Sequence, residues 1–177
     1  MNVEDKGKRG FISSSMVVSK FDNLHEVHIM SCSKLLKLTW LIYAPSLQLL
    51  AVSTCESMEE VIGDHDGAGR ASVLEESSVL FSRLTTLQLE GLPKLKSICN
   101  WVLPFPSLTM MYVHSCESLT KLPFDSNTAK NSSKKIQAEQ SWWEGLQWED
   151  VTTKQSFSPF FMPSEYMDLY QVLGYGC

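Results

Sequence analysis

The side chains in this sequence that are best suited to chemistry are its thiols. Five cysteines occur among 177 residues, and cysteines are typical ligands of zinc and partners in disulfides. The sequence contains no C-x-x-C pair and its cysteines are unevenly spaced, so neither a zinc site nor a disulfide framework is indicated. Cys32, Cys55 and Cys116 instead follow three similar hydrophobic phrases at the same interval. We interpret these three thiols as structural, and Cys99 and Cys177 lie outside the pattern.

Other groups that could perform catalysis or bind a metal do not form a recognisable site. His25, His28 and His114 have no accompanying cluster of carboxylates that would complete a zinc site. Asp64 and Asp66 resemble the start of a calcium loop, but the later oxygen donors and the closing glutamate are missing. No G-x-S-x-G elbow presents a nucleophile. We therefore expect no enzyme activity, no bound metal and no cofactor.

The elements that carry these residues repeat along the chain. The phrase L-x-x-L-x-L-x-x-C-x-x-L-x-x-L, or a close variant, begins at Leu24, Leu47, Leu84 and Leu108. Successive copies start 23, 37 and 24 residues apart, and leucine-rich repeats have periods of roughly 20 to 29 residues. The longer interval therefore carries an insertion. Six apolar positions that recur four times in register indicate a leucine-rich-repeat solenoid.

The physical basis of this fold is burial shared between neighbouring repeats. The alternating x-L-x-L part of each phrase predicts a short strand with one buried face, and the residues after it turn the chain back. One repeat buries too little apolar surface to offset the entropy of ordering, so repeats must stack. The predicted fold is an α/β-type repeat solenoid, a leucine-rich-repeat horseshoe fragment with short parallel strands on its concave face and an irregular or short-helical convex side. Cys32, Cys55 and Cys116 then form a structural ladder in the turns after the strands.

The repeats also divide the chain into segments. A polar N-terminal segment is predicted at 1–20, which could be the remnant of a preceding repeat, and four repeats follow at 21–124 with an insertion at about 63–79. After the repeats we predict a polar linker at 125–138 and an aromatic C-terminal cap at 139–162. The structure of the tail at 163–177 is not predicted. Trp142, Trp143 and Trp148 lie in the cap. On a helix these three cannot share one face, so at least one should be partly exposed while the others cover the last repeat.

Composition indicates a soluble globular chain that does not bind nucleic acid and has no membrane span. Apolar residues make up 44% and charged residues 20%, the net charge is −5, and no basic stripe would attract phosphates. The longest apolar stretch, around Leu38 to Ala44, is far shorter than the roughly 20 residues of a membrane span. Charged residues interrupt residues 1–20, so a signal peptide is not predicted. Reduced cysteines fit a cytoplasmic or nuclear location.

Several particular features of the repeats resemble one protein family. P-S-L openings occur at Pro45 and Pro106, S-C-x-x-L and T-C-E-S-M turns follow the strand phrases, and the third repeat carries the variant E-G-L-P-K-L. The segment W-W-E-G-L-Q-W-E-D follows the repeats. Over about residues 20–162 the chain resembles the C-terminal leucine-rich-repeat end of plant disease resistance proteins of the coiled-coil, NB-ARC type. Residues 164–177 depart from the ending of that family.

The resemblance implies a role in plant intracellular immunity. The repeats would form a protein-recognition and autoregulatory module whose partner is a pathogen effector, a guarded host protein or the receptor's own NB-ARC domain. The phosphate-binding loop G-x-x-x-x-G-K-[ST] does not occur in the sequence, so ATP or ADP would bind only to an upstream NB-ARC domain. The alternative is a truncated or stand-alone leucine-rich-repeat adaptor or structural protein without signalling activity.

The candidate binding residues lie on the predicted concave face. Alternate side chains of a strand point to opposite faces, so the positions between the inward leucines point outward. Aligning the repeats places His28, Ala51, Gln88 and Tyr112 in one column, and Met30, Ser53, Glu90 and His114 in the next. The candidate partner-binding residues are His25, His28, Met30, Gln48, Leu49, Gln88, Glu90, Met110, Tyr112 and His114. Exposed methionine and aromatic side chains suit protein recognition. The alternative is that the insertion or the tail covers this face.

Overall fold

A parallel sheet organises the chain. The computed structural model describes residues 20–63, 80–125, 127–129 and 134–164. Its strands are β1 (Glu26–Met30), β2 (Leu49–Ser53), β3 (Thr86–Glu90), β4 (Met110–His114), β5 (Lys135–Ala138) and β6 (Phe161–Pro163). They lie in chain order in one sheet, and each neighbouring pair is parallel. This arrangement confirms the predicted solenoid with short parallel strands.

The helical segments of the described residues are short. A 3₁₀ helix spans Thr39–Tyr43 in the first repeat, α1 spans Gln140–Gly145, and α2 spans Val151–Phe157 before a 3₁₀ turn at Ser158–Phe160. Asp150 caps α2, because its carboxylate accepts a hydrogen bond from the Thr153 N–H at 2.8 Å. In this part of the chain no helix has the length and apolar character needed to cross a bilayer.

The register of the strands follows the leucine phrases. Leu50 pairs with Leu87, and Leu87 pairs with Met111. Two residues further along each strand, the same pairing joins Val52, Leu89 and Val113. All six side chains are at most 1% exposed, so the inner face of the sheet forms the core. The opposite face carries the outward columns in the alignment predicted from the sequence.

Each of the first four strands ends in the same left-handed turn. Ser31, Thr54, Gly91 and Ser115 follow β1 to β4 with φ of 56°, 53°, 59° and 50°. The next residue is a cysteine in three repeats. The thiols of Cys32, Cys55 and Cys116 donate to the carbonyl of the last strand residue at 3.5, 3.3 and 3.3 Å. Burial raises the pKa of the Cys55 thiol and raises that of Cys116 to about 12. In the third repeat glycine takes the left-handed position, which costs it no steric strain.

A fifth strand lies where the sequence predicts a polar linker. The prediction of a linker at 125–138 is wrong for its last four residues, because Lys135–Ala138 forms β5 beside β4. Ile136 pairs with Met111 and Ala138 with Val113, and both are 1% exposed. They therefore continue the inner columns of the sheet. In addition, β6 crosses the boundary predicted between the cap and the tail.

A row of phenylalanines runs through the core beside the strands. Phe81 and Phe105 each lie three residues before the first leucine of a repeat, with φ of 56° and 42°. The ring centroids of Phe81 and Phe105 are 5.6 Å apart, those of Phe105 and Phe124 are 5.5 Å apart, and those of Phe124 and Phe157 are 4.9 Å apart. All four rings are buried. This phenylalanine row connects the third and fourth repeats to α2.

Tryptophans from the segment after the repeats pack against the fourth repeat and against the phenylalanine row, because the rings of Trp148 and Phe157 are 5.8 Å apart between centroids. Trp142 and Trp143 of α1 are buried, and Trp148 is half-buried. The Trp142 indole N–H donates to the Leu119 carbonyl at 2.9 Å. The Trp143 ring lies 5.0 Å from Trp148 and 4.5 Å from Phe161 between centroids. The segment after the repeats is therefore packed into the core through its aromatic rings.

Candidate protein-binding face

The candidate site is the outward face of the sheet, formed by strand side chains that point away from the leucine core. Its ten predicted residues differ in exposure. His25, His28, Met30 and Gln48 are exposed, Leu49, Glu90, Met110, Tyr112 and His114 are half-buried, and Gln88 is buried. The exposed group lies at and beside β1, and most of the half-buried group lies on β3 and β4. The accessible part of the face is therefore concentrated at the β1 side of the sheet.

Gln88 departs from the sequence prediction. The outward column places it on the exposed surface, whereas its side chain is 0% exposed. The register sets it between Ala51 and Tyr112 on a central strand, where neighbours on both sides restrict access of water. Neither its amide nitrogen nor its amide oxygen has a hydrogen-bond partner among the described residues. Burying an amide without partners costs stability, so this residue is not suited to the binding role predicted for it.

Two other outward positions are closed as well. Ala51 and Ser53 on β2 are 5% and 4% exposed. The alternative prediction, that the insertion or the tail covers this face, concerns segments that lie almost wholly outside the described residues. Among the described residues, the outward face is therefore closed at these positions of the middle strands β2 and β3, and it is more accessible at β1.

The β4 side of the face encloses only a small cavity. Gln88, Tyr112, Gln137 and Ser164 contribute to its walls, and its volume is about 10 Å³. A cavity of this size holds about one water molecule. This cavity is therefore too small for an organic ligand, and burial raises the pKa of the Tyr112 hydroxyl above its ordinary value.

Histidine and glutamate side chains meet at two places on this face. His28 Nε2 lies 3.5 Å from Glu26 Oε2, and His114 Nδ1 lies 3.1 Å from Glu139 Oε1. Glu139 also accepts the Ser115 N–H, at 3.2 Å to one carboxylate oxygen. It thereby holds the turn after β4, a role that sequence reasoning missed because Glu139 lies outside the leucine phrases.

The described residues do not bring metal-binding side chains together. No group of three or more histidine, cysteine, aspartate or glutamate side chains in this part of the chain could hold a metal ion. β2 and β3 separate His28 from His114. Asp64 and Asp66, which resembled the start of a calcium loop, lie outside the described residues.

Comparison with known proteins identifies the family. Residues 8–134 match the family model for the leucine-rich repeats of plant disease resistance proteins of the RPS2-like type. The chain belongs to this family. The match includes β1 to β4 and the four turns that follow them. The RPS2-like repeats therefore account for β1 to β4 of the sheet, their inner leucine columns and the cysteine ladder described above, whereas β5 and β6 lie outside the matched residues.

Individual relatives of these RPS2-like repeats come from Arabidopsis thaliana. The chain is 40% identical over 140 residues to the putative disease resistance protein At5g05400, 35% identical over 141 residues to the disease resistance protein SUMM2, and 36% identical over 141 residues to the disease resistance protein RPS5. Each match covers 78% of this chain but only 15% or 16% of the relative. The chain thus spans about one sixth of the length of the curated relatives it matches.

Proposed function

We propose that this chain is a protein-recognition and autoregulatory module of a plant intracellular immune receptor, acting in defence against pathogens. The observation that carries the proposal is the family match over residues 8–134. The relatives are named disease resistance proteins, and the proposal extends that role to this chain. It includes a cytoplasmic or nuclear location and no catalytic step.

The accessible part of the outward face supports this role. Met30, the last residue of β1, is 48% exposed, and His28 lies two residues before it on the same strand. His25 and Gln48 are exposed polar residues at the opposite end of the strands. Methionine adapts its shape to a partner, and polar neighbours at the rim keep such a surface soluble. The proposed partner is a protein: a pathogen effector, a guarded host protein or the NB-ARC domain of the same receptor.

The autoregulatory part can be tested by direct binding. The 177-residue chain would be immobilised, and an NB-ARC domain from a disease resistance protein of the coiled-coil, NB-ARC type that the sequence resembles would be added at increasing concentration in a biolayer interferometry assay. We expect saturable binding that Met30→Glu weakens by at least about tenfold, because a charge would enter a desolvated contact. Val151→Glu is the matched control, because Val151 is 70% exposed on α2, away from the outward face.

Each outcome of this assay bears on the proposal. Equal weakening by Met30→Glu and Val151→Glu would reject the outward face as the binding surface. A folded, monomeric chain that shows no saturable binding would reject the autoregulatory role and favour the alternative, a stand-alone leucine-rich-repeat adaptor. Circular dichroism and light scattering on the same samples would establish folding and mass.

A further inference from the structure

The cysteine ladder is interrupted, and the interruption sets one pair of thiols apart. Cys32 and Cys55 lie at equivalent positions of consecutive repeats, whereas the third repeat has Leu92 at that position. Leu92 therefore separates Cys116 of the fourth repeat from the other two ladder cysteines. Cys32 and Cys55 are neighbours along the ladder, and Cys116 is an internal comparison for both.

The backbone holds Cys32 and Cys55 at corresponding places in stacked turns. Met30 pairs with Ser53 in the register of β1 and β2, and each cysteine lies two residues further along. In both turns the N–H three residues after the cysteine donates to the cysteine carbonyl at 3.1 Å. Neighbouring strands lie about 4.8 Å apart, and disulfides join cysteines whose Cα atoms are about 4.4 to 6.8 Å apart. The stacking of the repeats thus suits a disulfide between these two residues.

The two thiols have the same orientation and influence each other. Each thiol donates to the carbonyl two residues earlier, at 3.5 Å for Cys32 and 3.3 Å for Cys55. Burial raises the pKa of the Cys55 thiol, a hydrogen bond from the Cys32 N–H lowers it, and the Cys32 thiol raises it. Cys32 therefore lies close enough to act on the Cys55 sulfur through both its backbone and its side chain.

The pair combines an accessible thiol with a protected one. Cys32 is exposed, whereas Cys55 is 0% exposed. Redox-responsive cysteines are typically accessible to solvent and lie beside a second thiol that reacts with their oxidised form. An oxidant dissolved in water reaches Cys32 first, and Cys55 is placed to react with the product. Cys116 is buried and has Leu92 as its ladder neighbour, so it meets neither condition.

We propose that Cys32 and Cys55 form a redox-responsive pair, in which a peroxide oxidises Cys32 and Cys55 converts the product to a disulfide. In the first step the Cys32 sulfur attacks hydrogen peroxide and the O–O bond breaks. The hydroxide that leaves takes up the Cys32 thiol proton, so the products are a sulfenic acid and water. In the second step the Cys55 sulfur displaces the sulfenic oxygen, which leaves with the Cys55 thiol proton as water. Two electrons pass from the two sulfurs to the peroxide, and a dithiol reductant reverses the reaction.

The disulfide would cross-link the turn after β1 to the turn after β2. Met30, the exposed last residue of β1, lies two residues before Cys32. The oxidised form therefore holds the accessible part of the outward face against the second repeat. A cross-link within one chain restricts the unfolded state, so the oxidised chain should resist unfolding better than the reduced chain. This switch goes beyond the recognition role proposed above and does not depend on it.

Peptide mapping after peroxide treatment tests the pairing. The folded 177-residue chain would be treated with hydrogen peroxide, its remaining thiols would be blocked with iodoacetamide under denaturing conditions, and its tryptic digest would be analysed by mass spectrometry without reduction. We expect a linked pair of peptides that contain Cys32 and Cys55, lighter than their sum by two hydrogen atoms, which dithiothreitol separates. Cys99 and Cys116 should be recovered as free thiols, because both are buried.

Single substitutions separate the roles of the two thiols. Cys32→Ser should abolish the linked pair, and its position is exposed, so the variant should fold. Cys55→Ser leaves the sulfenic acid of Cys32 without a thiol to react with, so labelling of Cys32 by dimedone should rise at least about tenfold. The matched control is Cys116→Ser, which removes a ladder thiol next to Leu92 and should leave the yield of the linked pair unchanged.

Three results would overturn the proposal. The first is oxidation of Cys32 in the unaltered chain while Cys55 is recovered as a free thiol. The second is a Cys32 that is linked to Cys177 or to a second copy of the chain. The third is an unmodified Cys32 at a peroxide concentration that oxidises an unstructured peptide of residues 26–37.

Thermal unfolding covers the case in which Cys55→Ser prevents folding. The peroxide-treated chain should unfold at a higher midpoint than the reduced chain, and dithiothreitol should restore the lower midpoint. Cys32→Ser treated with the same peroxide is the control, because peroxide also oxidises exposed methionines such as Met30. If the treated chain shows no higher midpoint than its reduced form after this correction, the two turns are not cross-linked and the proposal is rejected.

Discussion

Replacing Phe105 by alanine would test whether the phenylalanine row stabilises the fold. Phe105 is fully buried, and its ring lies 5.6 Å from Phe81 and 5.5 Å from Phe124 between centroids. Truncating a buried phenylalanine to alanine costs about 3–5 kcal/mol, because apolar burial is lost and a cavity remains. Folded domains are stabilised by about 5–15 kcal/mol. The single substitution should therefore remove roughly a fifth or more of the free energy of unfolding.

Urea denaturation followed by tryptophan fluorescence and circular dichroism would measure this loss. Phe105→Leu is the matched control, because it keeps most of the apolar volume and should cost less than Phe105→Ala. A double-mutant cycle of Phe105→Leu with Phe124→Leu should give a coupling of about 0.5–1.5 kcal/mol, the range found for aromatic pairs. An unfolding midpoint for Phe105→Ala within error of the unaltered chain would refute the packing of the row.

Three other substitutions test separate contacts. Gln88→Leu removes a buried amide without a described partner, so the free energy of unfolding should rise by about 1–3 kcal/mol; a decrease in the urea titration would contradict this. Trp142→Phe leaves the Leu119 carbonyl without its indole donor and should lower that free energy by about 1–3 kcal/mol, whereas an unchanged value would show that the bond contributes nothing. Hydrogen bonds from the Thr152 hydroxyl and the Thr153 N–H hold the pKa of Asp150 below its usual value. A lowered carboxyl pKa gives stability that is present above the unfolded pKa of about 3.9 and is lost as pH falls through the folded pKa. Asp150→Ala should thus lower the thermal midpoint at neutral pH but not in strong acid, with Asp150→Ser as the control that keeps the cap; an equal loss at both pH values would argue against it.

The leucine phrases alone predict the register of the first four strands. Aligning the repeats places Leu50, Leu87 and Met111 at one position, and these residues pair across β2, β3 and β4. The alignment predicts the register correctly because a slip of one residue would turn the core side chains of a strand towards the outward face. The hydrophobic pattern therefore fixes the alignment wherever one face of the sheet is buried.

Other features could not be predicted from those phrases. In β5 only Ile136 and Ala138 continue the alternation of inward apolar side chains. Two apolar positions are too short a pattern to distinguish a strand from a loop. The phenylalanine row does have a signal in the sequence, because Phe81 and Phe105 each lie three residues before the first leucine of a repeat. The second repeat has Ala44 at this position, so the signal does not recur in every repeat. The burial of Gln88 depends on side chains from neighbouring strands, so no local pattern reveals it.

The spacing between the second and third repeats has a consequence for how this sequence can change. Equivalent leucines there are 37 residues apart rather than 23 or 24, yet β2 and β3 pair in the same register as the other strands. Because loop-closure entropy grows only with the logarithm of length, the extra residues cost about 0.4 kcal/mol. A gene can therefore gain or lose codons at this junction without disturbing the columns on either side. The same junction is where an engineer could place an epitope tag or a reporter domain.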